Sequence, residues 1–185
     1  MSSDKRRIFF CVYFEQGPRG TQGTPRVFHC GLWVEEKGSK GPGDYFHIQF
    51  HPVYSNRPDY PSGWVYSSST ARSREENWRE PSQLIGRILL GKLAPGVTAS
   101  HIHEICRTVA RPNDREDCWD WTGRAISAIQ LQRYLTRHSW SGPDGLKARA
   151  YQQSCSWWEK DKGRIPNKPH YWDIYGTESS HCVVM

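Results

Sequence analysis

The chain has 185 residues, with 25 Lys and Arg against 19 Asp and Glu, and it carries 9 Trp, 9 Tyr and 6 Phe. That length suits one well-cored domain and would cramp two, and the aromatic load argues against disorder despite a mean hydropathy of −0.78. No apolar run is long enough to span a bilayer, and a net charge of +6 permits attraction to nucleic acid or anionic membrane without establishing it.

The first apolar run, residues 8–14 (IFFCVYF), follows basic residues but has no small-residue cleavage site. It reads as a buried first strand and not as a signal peptide. Residues 15–26 form a Gly/Pro-rich loop. Residues 27–34 (VFHCGLWV) make a second strand, with Phe28, Cys30, Leu32 and Val34 on one face and Val27, His29, Gly31 and Trp33 on the other. After a turn, residues 45–51 (YFHIQFH) alternate cleanly, Phe46, Ile48 and Phe50 inward and Tyr45, His47, Gln49 and His51 opposite. The two strands make a plausible hairpin.

A short strand is expected at residues 64–67, an exposed loop at 67–81 and another strand at 84–93. Residues 98–110 read as a helix capped by Thr98 or Ser100, with Ile102, Ile105, Cys106 and Val109 inward. Residues 115–135 (REDCWDWTGRAISAIQLQRYL) read as the next helix, N-capped by Asp117, with Asp120 giving a capping-box pattern. Trp121, Ala125, Ala128, Ile129 and Leu135 recur at helical spacing. A last helix bearing Trp157 and Trp158 is expected over 146–162, then a Pro-, Gly- and aromatic-rich tail. The domain reading is a core over 1–138, an additional helix over 139–162 packed on it, and a tail over 163–185.

Six cysteines, at 11, 30, 106, 118, 155 and 182, show no CxxC pattern and read as reduced cytosolic thiols. Cys118 differs from the others in position. A thiol at the first residue of a helix lies near the partial positive charge of the helix start, which favours thiolate. Glu116, Asp117 and Asp120 crowd it, and their negative charge opposes thiolate. Cysteine chemistry also needs a base and a group that orients that base. His29 and His47, on adjacent strands and one face, are the candidates. The competing reading makes both histidines solvent-facing and Cys118 a small buried helix residue. Cys11 and Cys30 alternate with core residues and read as structural.

The residues FHCGLWV, DYFHIQFH and DCWDWT, in that order, resemble the circularly permuted papain-like group. That group includes the lecithin-retinol acyltransferase type and the PPPDE peptidases, relatives of the NlpC-type peptidases. The layout is also similar to fungal proteins of uncharacterised function. The resemblance covers about residues 8–136. It implies an α+β fold, a small antiparallel sheet with packed helices in a permuted papain-like arrangement. It also implies a thiol hydrolase or acyltransferase acting on an amide, ester or thioester carbonyl of an acyl or peptide substrate. Carried over, Cys118 is the nucleophile, His29 the base and His47 its orienting partner, with backbone N–H groups at the helix start holding the oxyanion. No cofactor is implied. A non-catalytic interaction protein on the same fold is the alternative.

Cys182-Val183-Val184-Met185 forms a C-a-a-X box with Met at X, which points to farnesylation of Cys182 by a farnesyltransferase. A cytoplasmic protein held at a membrane surface by that chain is the corresponding expectation. His101, His103 and Cys106 invite a metal reading, but His101 lies off the helix face shared by the other two, so no metal site is assigned. The basic and aromatic stretch 154–172 is better read as a solvated face packing its tryptophans than as a nucleic-acid grip.

Overall fold

The computed structural model describes residues 6–14, 28–36, 43–51, 63–71, 83–136, 143–166 and 169–174. The elements are β1 (Arg6–Phe14), β2 (Phe28–Glu36), β3 (Gly43–His51), β4 (Gly63–Ala71), β5 (Gln83–Lys92), α1 (Ala99–Thr108), α2 (Cys118–Leu131), α3 (Pro143–Lys160) and β6 (His170–Asp173). All six strands join one open sheet in the order β4-β3-β2-β1-β5-β6. Every pairing is antiparallel except β5 with β6. The class is mixed α+β.

The expected β2–β3 hairpin is present, in register from Gly31↔His47 to Glu35↔Gly43. Two segments depart from expectation. The serine-rich stretch after residue 67 remains strand to Ala71, pairing with β3 along its whole length. Its serines are exposed at the sheet edge, where a hydroxyl costs nothing to desolvate, and Thr70 Oγ1 donates to Asp44 Oδ1 at 2.7 Å. The tail also contributes β6, added parallel to β5. Trp157 of α3 stacks on His170 at 5.4 Å and fixes where that strand lies. Gly86 of β5 permits this approach, since a Cβ there would sit 2.3 Å from the Trp157 ring.

The three helices cover one face of the sheet. Ile8, Phe10 and Val12 of β1, Phe28, Cys30, Leu32 and Val34 of β2, and Phe46 and Ile48 of β3 meet Ile102, Trp121, Ala125, Ile126 and Ile129 there. Each fully buried isoleucine contributes about 1.5–3 kcal/mol by leaving water. Leu146, Ala150, Trp157 and Ile174 belong to the same core, so α3 and the segment after it are integral to it. The opposite face is buried as well, in keeping with a first strand read as buried. Phe9, Cys11, Tyr13, Trp33, Tyr45 and Leu84 form a second cluster there. Phe50, read as inward, is instead 51% exposed and lies edge-on to Trp64, beyond the reach of the helices.

The second face holds a buried acid. Glu35 Oε1 accepts from Arg7 at 2.8 Å, and Oε2 accepts from Trp33 Nε1 at 3.0 Å and Arg87 at 3.3 Å. Three donors offset the desolvation of one carboxylate. Both arginines also lie over the Phe9 ring, at 5.4 and 4.9 Å. Among the described residues no helix is long and apolar enough to cross a membrane. Cys182 and its C-a-a-X box lie outside the described residues.

Candidate functional site

The site is built where α2 begins. Asn113 and Glu116 close a tight turn before it, Asn113 Oδ1 accepting from Arg115 N at 2.9 Å and Glu116 Oε2 from Asn113 N at 3.0 Å. Asp117 is then the N-cap in extended conformation. Its Oδ1 accepts from Trp119 N at 2.8 Å and Asp120 N at 3.2 Å, while Asp120 Oδ2 accepts from Asp117 N at 2.9 Å. This reciprocal cap satisfies the free donors of the first turn and leaves Cys118 as the first helical residue.

Two contacts pin that turn to β2. Trp119 Nε1 donates to Phe28 O at 3.3 Å. Thr122 Oγ1 donates to Cys118 O at 2.7 Å and lies 3.5 Å from Cys30 Sγ. The β2–β3 ladder begins at Gly31↔His47, while Phe28, His29 and Cys30 pair with Phe14, Tyr13 and Val12 of β1. The helix start meets β2 at this end. Cys30 and His29 are the side chains that act on the Cys118 thiol to lower its pKa.

His29 Nε2 lies 2.9 Å from His47 Nδ1, with the two rings edge-on at 77°. The structure therefore brings together the three residues read from the sequence as a site. His47 stacks on Tyr45 at 4.6 Å, and Tyr13 closes on Tyr45 at 5.1 Å. Gly31 makes room for this stack. A Cβ there would sit 2.8 Å from the Tyr45 ring and hydroxyl and 2.7 Å from Phe46 O.

Electrostatics favour a thiolate at Cys118. Its pKa lies well below the usual thiol range. The hydrogen bond from Cys30 is the largest cause. Burial opposes it, and the charge on His29, the hydrogen bond to His29 and the Cys30 backbone N–H all add to the lowering. Cys30 is pushed up, by burial first and then by the neighbouring Cys118. His47 is lowered to about 3, by burial first and then by the charges of His29 and His51. It is a neutral imidazole at pH 7 and so can accept a proton-bearing bond from His29.

The acidic shoulder does not act as expected. The Asp117 carboxylate is occupied by backbone amides. Glu116 pairs with Arg124 at 2.6 Å, and Asp120 pairs with Lys147. Each acid has a partner of its own, and none ranks among the main influences on the thiol. The Trp119 and Asp120 amides are taken by the cap.

Cys30 was read as structural and is instead in contact with the candidate nucleophile. Strand alternation had placed it on the helix face, which was the only signal for it. The His101 and His103 pair is used locally. His101 Nδ1 accepts from Thr98 N at 3.0 Å, and His103 Nδ1 lies 3.0 Å from Tyr66 Oη. Among the described residues no group of three or more His, Cys, Asp or Glu is placed to hold a metal ion. Trp157 is buried, and Trp158 stacks on Phe14 at 4.8 Å, so both serve packing.

Comparison with family models, with curated proteins and with solved structures returned no match.

Proposed function

We propose that this chain is a cysteine-dependent hydrolase or acyltransferase on a permuted papain-like arrangement, acting on an amide, ester or thioester carbonyl. The observation that carries it is the continuous chain of contacts from Cys118 to His29 and, at 2.9 Å, from His29 to His47. Nucleophile, base and orienting group stand in hydrogen-bond sequence, the arrangement that activates a thiol.

His29 Nε2 faces His47 Nδ1 at 2.9 Å, and in this reading its Nδ1 serves the thiol. The proton of Cys118 resides on His29 Nδ1, and the Nε2–H of that imidazolium donates to the neutral His47 Nδ1. The thiolate attacks the carbonyl carbon, and the oxygen takes up negative charge near the Cys118 amide. His29 then protonates the leaving amine, alcohol or thiol as the carbonyl reforms. In the second half His29 deprotonates water or another acceptor, which attacks the acyl-thioester and releases Cys118.

A thiol-reactive probe with pH titration tests this. Preferential labelling of Cys118, with a thiolate pKa below the free value of about 8.5 and loss of that reactivity in His29→Ala, is the expected result. Slow, equal labelling of every accessible thiol would sink it. The low exposure of Cys118, 3%, favours the second reading, a non-catalytic interaction protein on this fold, and that labelling outcome would select it. Farnesylation of Cys182, with attachment to a membrane surface, is proposed from the C-terminal box alone. An intact mass from eukaryotic cells that lacks the farnesyl increment would remove it.

A further inference from the structure

We propose that Cys118 and Cys30 form a two-thiol oxidation site that closes reversibly to a disulfide when the protein meets a hydroperoxide. The inference stands on a contact that hydrolysis does not need. A papain-type reaction uses one sulfur, yet a second lies at this site. The Thr122 hydroxyl joins the two residues, donating to Cys118 O at 2.7 Å and lying 3.5 Å from Cys30 Sγ, so Cys30 sits under the helical turn that Cys118 opens. Cys30 Sγ is held there between Cys118 and the Thr122 hydroxyl, 3.5 Å away. It is 0% exposed and Cys118 3%, so hydrogen peroxide reaches this pair more readily than a bulky oxidant does.

The other described thiols are placed differently. Cys11 belongs to the opposite face of the sheet, and burial pushes it up to about 12. Cys106 lies near the end of α1, and burial pushes it up to about 12 as well. The thiolate is the species that attacks peroxide. Of these buried thiols, Cys118 is the one that opens a helix and the one held below the usual thiol range, so it reacts first and Cys30 resolves.

In the first step Cys118 S⁻ attacks the terminal oxygen of the hydroperoxide. The O–O bond breaks, Cys118 becomes sulfenic acid, and the alkoxide or hydroxide leaves with the proton held by His29. In the second step the Cys30 sulfur attacks the Cys118 sulfur. The S–O bond breaks, and the departing hydroxide takes the Cys30 proton and leaves as water. Two thiols are oxidised by two electrons, and one peroxide becomes one alcohol (or water) and one water. A dithiol reductant reverses the bridge by exchange. That the bridge switches an enzyme off rests on the function proposed above, while its formation does not.

The experiment treats the reduced full-length chain with stoichiometric hydrogen peroxide and reads intact mass and non-reduced peptide maps. The expected result is a loss of about 2 Da, a Cys30–Cys118 cross-linked peptide and full reversal by dithiothreitol. In Cys30→Ser, and in Cys30→Ala as a second variant in case one misfolds, Cys118 instead gains about 32 Da as sulfinic acid that dithiothreitol does not remove. Sulfinic acid at Cys118 of the unaltered chain, a bridge between other cysteines, or no oxidation of Cys118 would overturn the proposal. Alkylation of Cys118 in the reduced protein separates the two readings. Fast alkylation without a bridge defeats the oxidation site alone. A bridge without preferential, His29-dependent alkylation defeats the hydrolase alone.

Discussion

Cys106 and Cys118 are both helical cysteines with almost no exposure, 0% and 3%, and their thiols are driven in opposite directions. Cys106 sits in the last turns of α1, at the end where carbonyls point outward. Burial is the one influence on it, and burial raises it to about 12. Cys118 sits at the other kind of helix end, with a thiol, an imidazole and a backbone N–H turned toward its sulfur. The difference shows that burial sets the direction of a thiol unless the groups around it together outweigh that burial. It also shows why a helix start alone is not enough. The dipole favours thiolate by a fraction of a kcal/mol to about 1 kcal/mol, and the contacts from β2 complete the site.

The sharpest way to break that contrast is to make Cys118 resemble Cys106. His29→Ala removes both the charge and the hydrogen bond while leaving burial intact. The Cys118 thiolate pKa then rises, and turnover of an activated ester falls by about 10²–10⁴-fold, the range of a lost acid–base group. Labelling rate against pH reads the first and steady-state kinetics the second. An unchanged labelling profile would assign the lowered pKa to Cys30 and the helix start.

His47 extends the contrast from a thiol to an imidazole, since it too is buried, with nothing to stabilise its charged form. In the unfolded chain it binds a proton near pH 6.5, while in the folded protein it refuses one until about 3. Between those values the unfolded state carries the extra proton, so stability is complete above pH 6.5 and declines as pH falls through the window. The slope is about 1.4 kcal/mol per pH unit within it. His47→Asn keeps a donor and an acceptor but cannot titrate. Denaturant melts at several pH values are expected to show a flatter decline in the variant. Matching slopes in the two proteins would mean that His47 titrates normally when folded.

These tests rest on residues that differ in how readable they were. Period-two alternation put His29 and His47 on one strand face, and Asp117 with Asp120 marked the helix start, because capping and pleating are local. The docking of the first turns of α2 against Phe28 and Cys30 was not legible, because it joins residues about ninety positions apart. The contact of Cys30 with Cys118 was hidden for the same reason. Strand β6 is only four residues long, too short to carry a pattern, and is placed by Trp157 stacking on His170. The neutralised acidic shoulder was hidden too, because Arg124 and Lys147 lie on later turns and on another helix.

Asp117 carries the smallest expected effect and separates two roles that share one side chain. As a cap it accepts from two amides. As a charge it lies one residue from the thiol. Asp117→Asn keeps the accepting oxygen and deletes the charge, so melting changes little and the thiolate pKa falls by roughly half a unit or less, the scale of one partly screened charge. Asp117→Ala deletes both, and loss of the cap costs about 0.5–2 kcal/mol of stability. If Asn shifts the labelling profile by more than a unit, the carboxylate is not quenched by its amide bonds. Acidic residues would then govern Cys118 after all, and the contrast with Cys106 would owe less to the donors of β2.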